Sequence, residues 1–393
     1  MDSTIRTGGT TSSTVKRITD VDGLRGFAVL GILAVNMLDL ADPGRMEGAT
    51  AFTSSLDVGV RAFVIGAGQL TFLTLFAFLF GYSFTLQKAG AEAENSSVVP
   101  RTIRRLVALI AIGALHMVFL WRGDILMLWG LLGLVLLALS GLRPKTALFV
   151  SIGVTVLGVL YQGFNVLTAE PEELAPGLLH ADGQAALDAT RNGIGDYVSF
   201  NLGTFSLEDL YMSPLQVPSM LAVFLLGYAA GRVHWLENDT LLDQWLPKIQ
   251  LIGLAVGIPT GVALGYAEAQ GGDFTTIPGL LGQIGVPFLI AGMAATLMRM
   301  SRRGSGVLRV LAPAGMMSLT NYIVQSVLMC LIFTAYGLAL AGQVSPLGLL
   351  GITIVICAAQ VAYSKWWVSH YRYGPLEWLL RFATYGRPPA MRR

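Results

Sequence analysis

Runs of roughly twenty mostly apolar residues recur along the whole chain, and each is long enough to match the hydrocarbon thickness of a bilayer. Ten can be drawn, at 23–41, 62–86, 103–121, 124–141, 146–167, 214–234, 246–267, 277–298, 311–340 and 347–369. Only 13% of residues are charged, whereas a soluble domain carries about 25%. Inside a bilayer the backbone must satisfy its own hydrogen bonds, and helices do so within one segment. The expected fold is therefore all-α, a polytopic bundle of about ten transmembrane helices. The ninth run is long and is expected to begin as an interfacial segment near Pro313.

Basic residues orient the bundle. If the N-terminus is cytoplasmic, the extracytoplasmic segments hold only Arg45, Arg61, Arg122 and Arg191, and the other 22 of the 26 Lys and Arg lie inside. That bias places both termini in the cytoplasm. A plasma-membrane, multi-pass location follows as the expectation. Three regions are drawn: a disordered tail over 1–19, the bundle over 20–373, and an interfacial helix with a short tail over 374–393. In the last region Glu377 and Arg381 have the i,i+4 spacing of a helical ion pair. The outer loop at about 168–213 carries eight acidic residues against one Arg. It reads either as a binding loop or lid, or as a solvated hairpin with a little helix around 182–192. A net charge of +2 makes no case for nucleic acid. Cys330 and Cys357 sit inside apolar runs, so neither a disulfide nor a metal framework is expected.

Polar groups inside such spans are costly, so each needs a reason. Asp22 and Arg25 are three apart at the inner end of the first span. They can cap the helix as a structural ion pair, or present a cation to a phosphate or carboxylate. Asn36 lies ~16 Å further along the same helix; a lone Asn is usually a helix-to-helix hydrogen bond. His116 lies about a turn below a tight turn that leads to Asp124. A carboxylate beside an imidazole orients it and raises its basicity, as a general base requires. The plainer reading is a histidine satisfied within the bundle. Asn321 and Gln325 are spaced i,i+4, so they either lock a neighbouring helix or line a cavity. Gly227 with Gly231, and Gly253 with Gly257, have the spacing of close helix packing.

These stretches also carry a family resemblance. Asp22-Gly23-Leu24-Arg25-Gly26, Leu75-Phe76-Ala77-Phe78-Leu79-Phe80-Gly81 and Gly113-Ala114-Leu115-His116 with Gly123-Asp124-Ile125-Leu126 resemble motifs of the YeiB-like (DUF418) membrane proteins. So do Leu225-Leu226-Gly227-Tyr228-Ala229-Ala230-Gly231-Arg232, Leu319-Thr320-Asn321-Tyr322 with Gln325-Ser326, and Tyr371-Arg372-Tyr373-Gly374-Pro375-Leu376-Glu377-Trp378 with Arg381. The motifs run in order over nearly the whole chain. One departure is Met316, where the family more often has Arg.

By its Asp-x-x-Arg-Gly opening the family looks related to the transmembrane acyltransferases, which include lysosomal heparan-glucosaminide N-acetyltransferase. The resemblance implies transfer of an acyl group from cytoplasmic acyl-CoA to an extracytoplasmic hydroxyl or amine. In that reading Arg25, helped by Arg101, Arg104 or Arg105, meets the CoA phosphates. His116 is the base or acyl carrier, Asp124 orients it, and Asn36, Asn321 or Gln325 stabilises the oxyanion. All are expected around one cavity between spans one, three, four and nine. No metal is expected, the partners are the lipid bilayer, acyl-CoA and the acceptor, and a homodimer is the expected assembly. The rival reading is a proton-coupled transporter or exporter of a lipid or small molecule, with His116 as the proton site.

Overall fold

The computed structural model describes residues 10–45, 50–93, 97–168, 176–203, 216–271 and 276–393. The described residues form a helical bundle without a named strand. In chain order the helices are α1 (Thr10–Ala41), α2 (Ser55–Gly68), α3 (Thr71–Ala93), α4 (Val98–Phe119), α5 (Leu126–Ala138) and α6 (Pro144–Thr168). Then follow α7 (Pro176–Asn192), α8 (Ile194–Gly203), α9 (Gln216–Arg232), α10 (Asp239–Ala269) and α11 (Ile277–Arg302). The chain closes with α12 (Val307–Met316), α13 (Ser318–Phe333), α14 (Pro346–His370) and α15 (Pro375–Tyr385).

Among the described residues seven helical stretches are long and apolar enough to cross a membrane, and the chain is a multi-pass membrane protein. α2 and α3 form one of them, interrupted at Gln69 and Leu70, where Leu70 takes a positive φ of 58°. The ninth expected span is in fact a bent pair: α12 and α13 meet at 78° across Met317. The amphipathic α12 fits the interfacial start anticipated near Pro313, and α13 ends at Phe333, seven residues earlier than drawn. The fourth and sixth spans are shorter helices, α5 with 13 residues and α9. The first helix starts at Thr10, so the tail drawn over 1–19 runs into helix well before its expected end. Residues 1–9 lie outside the described residues.

The crossing of α1 and α12 positions the first motif. A Cβ on Gly315 would lie 1.8 Å from the Asp22 carbonyl and 2.7 Å from the Gly26 amide. Only glycine allows this backbone approach. Gly227 packs against the backbone of Phe78, and Gly253 against Gly292, so both glycine pairs mark close helix contacts.

Candidate functional site

The chemistry-bearing residues fall at two levels. At the outer level, α4 carries His116 near its end and the following turn delivers Asp124 to the start of α5. There Asp124 Oδ2 accepts the Met127 amide at 2.7 Å and caps the helix. Gly113 makes this possible, because a Cβ there would sit 2.2 Å from the Met127 nitrogen. The other carboxylate oxygen, Oδ1, lies 2.9 Å from His116 Nδ1, and both side chains are 1% exposed. On the far side of the ring, Nε2 is 2.7 Å from Ser326 Oγ on α13. Tyr322, one turn below Ser326, tilts over the imidazole with ring centroids 5.1 Å apart.

The carboxylate selects the tautomer. A negative oxygen beside Nδ1 favours the proton there, which leaves Nε2 as an acceptor for the Ser326 hydroxyl. The contact lacks hydrogen-bond geometry and neither atom has a hydrogen-bond partner among the described residues, so it is electrostatic more than a well-formed hydrogen bond. The order Asp124, His116, Ser326 is that of an acid–base–nucleophile relay. In the sequence Ser326 stands out only as part of a family motif. Its 210-residue separation from His116 hid the pairing.

The outer loop covers this level. Between 176 and 203 it is helical over more of its length than the short segment expected at 182–192. Tyr197 of α8 donates to the Leu120 carbonyl at 2.6 Å, and Asn201 donates to the Val118 carbonyl. Arg122 stacks on Phe200 with 4.7 Å to the ring centroid. From α7, Arg191 donates to the Ala341 carbonyl. Asp182, Asp188 and Asp196 are exposed, while Glu170, Glu172, Glu173, Glu208 and Asp209 lie outside the described residues.

Three nominated residues do not join His116. Asn321 donates to the Ala314 carbonyl and to Ser364, both at 3.0 Å. Gln325 donates to Gln360 at 2.8 Å and to the Val29 carbonyl, and Gln360 donates back to the Asn321 carbonyl. These amides lock α13 to α14 and α1, because an amide in an apolar bundle is most stable when another helix satisfies it. Asn36 is half-buried and has no hydrogen bond among the described residues. Among the described residues Asn36, Asn321 and Gln325 are therefore not gathered with His116 and Asp124 in the way the single expected cavity requires. His116 is sealed, 2% exposed.

At the other end, α1, α3, α4, α12, α13 and α15 enclose a cavity of about 570 Å³. Arg25, Arg101, Arg105, Arg372 and Arg381 line it, against the two carboxylates Asp22 and Glu377. Arg104, the other nominated arginine, is not among the lining residues. Arg25 contacts Asp22 at 2.5 Å and also donates to Ser83. Arg381 stacks on Tyr373 and Arg101 on Tyr385, with 4.3 and 4.8 Å to the ring centroids. Stacking holds a guanidinium while leaving its N–H edge directed outward. Met316 lines the same cavity, so the family's more usual Arg would add another cation here.

Glu377 does not pair with Arg381. Its Oε1 accepts the Leu319 and Thr320 amides at 2.7 and 3.1 Å, and Oε2 accepts the Thr320 hydroxyl at 2.6 Å. The carboxylate caps the N-terminus of α13, where exposed amides and the helix dipole favour an anion. Burial raises its pKa above the ordinary glutamate value, and the bonds from Thr320 and the backbone partly offset this.

The two levels share helices. Arg105 and His116 are separated by ~16 Å of α4, and Ser318 lines the cavity two turns below Ser326 on α13. Phe76, Leu109, Trp129 and Tyr322 pack between them in one apolar cluster. Within it Trp129 Nε1 is buried without a hydrogen-bond partner among the described residues.

The fold and these two levels define a class, the multi-pass helical membrane proteins with charged groups held inside the bundle. Within that class the chain belongs to the DUF418 family. The model of that family, described as "Protein of unknown function (DUF418)", matches residues 230–387. The chain is 32% identical over 395 residues to the uncharacterized protein YxaH of Bacillus subtilis (strain 168), covering 95% of each. It is 27% identical over 399 residues to the uncharacterized protein YeiB of Escherichia coli (strain K12), covering 94% of this chain and 97% of YeiB. A 39.9 kDa protein from the amylase 3′ region of Bacillus acidopullulyticus is 26% identical over 381 residues, again covering 95% of each. No solved structure matches.

Proposed function

We propose that the chain is a plasma-membrane acyltransferase that moves an acyl group from cytoplasmic acyl-CoA to an extracytoplasmic hydroxyl or amine. The observation that carries this is the buried order Asp124–His116–Ser326, with His116 and Ser326 on α4 and α13, two of the helices that line the arginine cavity. The arginines supply charge and planar donors for the CoA phosphates. His116 Nε2 takes the Ser326 proton as Oγ attacks the thioester carbonyl. The C–S bond then breaks, and the departing thiolate receives that proton. In the second half His116 removes a proton from the acceptor, which attacks the seryl ester, and the proton returns to Ser326 Oγ. Asp124 stabilises the transient imidazolium in both halves.

Turnover needs both barriers to open. The Phe76–Trp129–Tyr322 packing must part to admit the thioester from the arginine side. The α7–α8 cover must lift to admit the acceptor. A closed resting site protects a reactive ester from water.

The test is CoA release from acetyl-CoA by protein in nanodiscs, with and without candidate cell-surface glycans and lipids. Release that is lost in both His116→Ala and Ser326→Ala, while the proteins elute and melt like wild type, supports acyl transfer. Release unaffected by Ser326→Ala removes the seryl intermediate. Proton-coupled flux into proteoliposomes with no CoA binding replaces the enzyme reading with a transporter that uses His116 as its proton site.

A further inference from the structure

A second cavity, of about 580 Å³, lies between α3, α6, α9, α10 and α11, also reached by Leu24 of α1. It differs in kind from the arginine cavity. Thr74 and Lys145 are the polar residues of its lining that carry a hydroxyl or a charge. The Thr74 hydroxyl is already used within its own helix, donating to the Leu70 carbonyl at 2.8 Å. Along the rim, Leu148, Leu226 and Val233 are exposed, so the crevice opens sideways toward lipid. Ala291 and Ala294 of α11 form part of its wall, and their small side chains leave the space.

Dimension and charge indicate the occupant. On α11 the lining runs from Pro287 to Met298, which is ~16 Å of helix. That is about half the ~30 Å hydrocarbon thickness, the depth of one leaflet's acyl chains. Lys145 stands at the basic end of this depth, at the start of α6, exposed and without an ion pair among the described residues. It is placed where a headgroup phosphate of that leaflet would sit.

We infer that this crevice is a binding site for one anionic phospholipid of the inner leaflet, with an acyl chain along α11 and its phosphate on Lys145. Leu79 lines both cavities, so a bound chain would lie one side chain away from the arginine cavity. The inference does not rest on the acyl-transfer reading, since it uses none of the relay residues.

The test is native mass spectrometry of the purified full chain with added phosphatidylglycerol or phosphatidylcholine. Wild type is expected to retain one phosphatidylglycerol in preference to phosphatidylcholine. Ala294→Phe, which fills the crevice, should lower that occupancy at least fivefold. Lys145→Ala should abolish the preference for the anionic lipid while leaving some adduct of both. If Ala294→Phe aggregates, Ala291→Leu provides a smaller intrusion with the same expected direction. Wild-type occupancy in a folded crevice-filling variant overturns the inference. It is equally overturned if such a variant keeps its phosphatidylglycerol but loses CoA release from palmitoyl-CoA and not from acetyl-CoA, because the crevice then holds the donor's tail.

Discussion

Replacing Glu377 with alanine should loosen the bundle at its basic end, and the cost can be worked from the geometry. Three donors lose their acceptor: the Leu319 amide, the Thr320 amide and the Thr320 hydroxyl. A hydrogen bond to a charged group contributes ~1.5–3 kcal/mol. The three share one carboxylate, and water can enter at this part-buried junction, so the sum is less than additive. A loss of about 3 kcal/mol is expected, with α15 released from α13. At roughly 2 °C per kcal/mol for a chain of this size, the melting midpoint in detergent should fall by about 6 °C at a fixed scan rate. Glu377→Gln keeps an acceptor oxygen and should lose less than half of that. The pH dependence gives a second reading. The folded carboxyl holds its proton more tightly than the unfolded one, because burial raises its pKa. Its titration therefore favours the folded state most below the ordinary glutamate value, and that contribution is lost as pH rises toward the raised folded value. Glu377→Gln should remove this part of the slope. A midpoint for Glu377→Ala within 1 °C of wild type, roughly the assay's resolution, or a glutamine variant as damaged as the alanine, would refute the capping argument.

Other outcomes follow from the same structure. Asp124→Asn retains an oxygen to cap α5 but places an amide group beside His116, so CoA release should fall ~10³–10⁴-fold with the fold intact; a loss below tenfold in turnover assays argues against the relay. Arg25→Gln together with Arg381→Gln removes two of the cavity cations, and CoA binding by calorimetry should weaken at least ~10-fold, with a shallower salt dependence. Gly315→Ala forces a methyl against the Asp22 carbonyl, and should cost ~1–3 kcal/mol by overpacking, visible as a lower melting midpoint. At the outer end Arg45 bridges Asp39 and Glu268 at 2.8 and 2.5 Å; Arg45→Ala leaves Glu268 only the 3.6 Å contact with Arg61 and takes the ion pair from Asp39, and should destabilise by about 3 kcal/mol, a larger loss than the Arg45→Ala/Glu268→Gln double variant shows.

The sequence alone determined that this is a helical membrane bundle, because apolar length is a local property and a bilayer accepts few other backbones. Each of the ten runs holds a helix among the described residues, including the two that are individually short and the pair that is bent. It also brought out His116 with Asp124, which are near neighbours across one tight turn, and Arg25 with Asp22, which are three apart on one helix. Where it went astray, the partner was distant. Asn321 and Gln325 could lock a neighbouring helix or line a cavity, and Gln360 and Ser364 on another helix settle it as the lock. Glu377 had the right spacing for Arg381, and the amides of another helix, α13, won it, since a helix N-terminus offers several aligned donors at once. Ser326 gained its place beside His116 only when α13 crossed α4. Helical periodicity shows which residues share a face; which faces meet is decided by the packing of whole helices against one another. The relay, the arginine cavity and the lipid-facing crevice therefore belong to the tertiary structure.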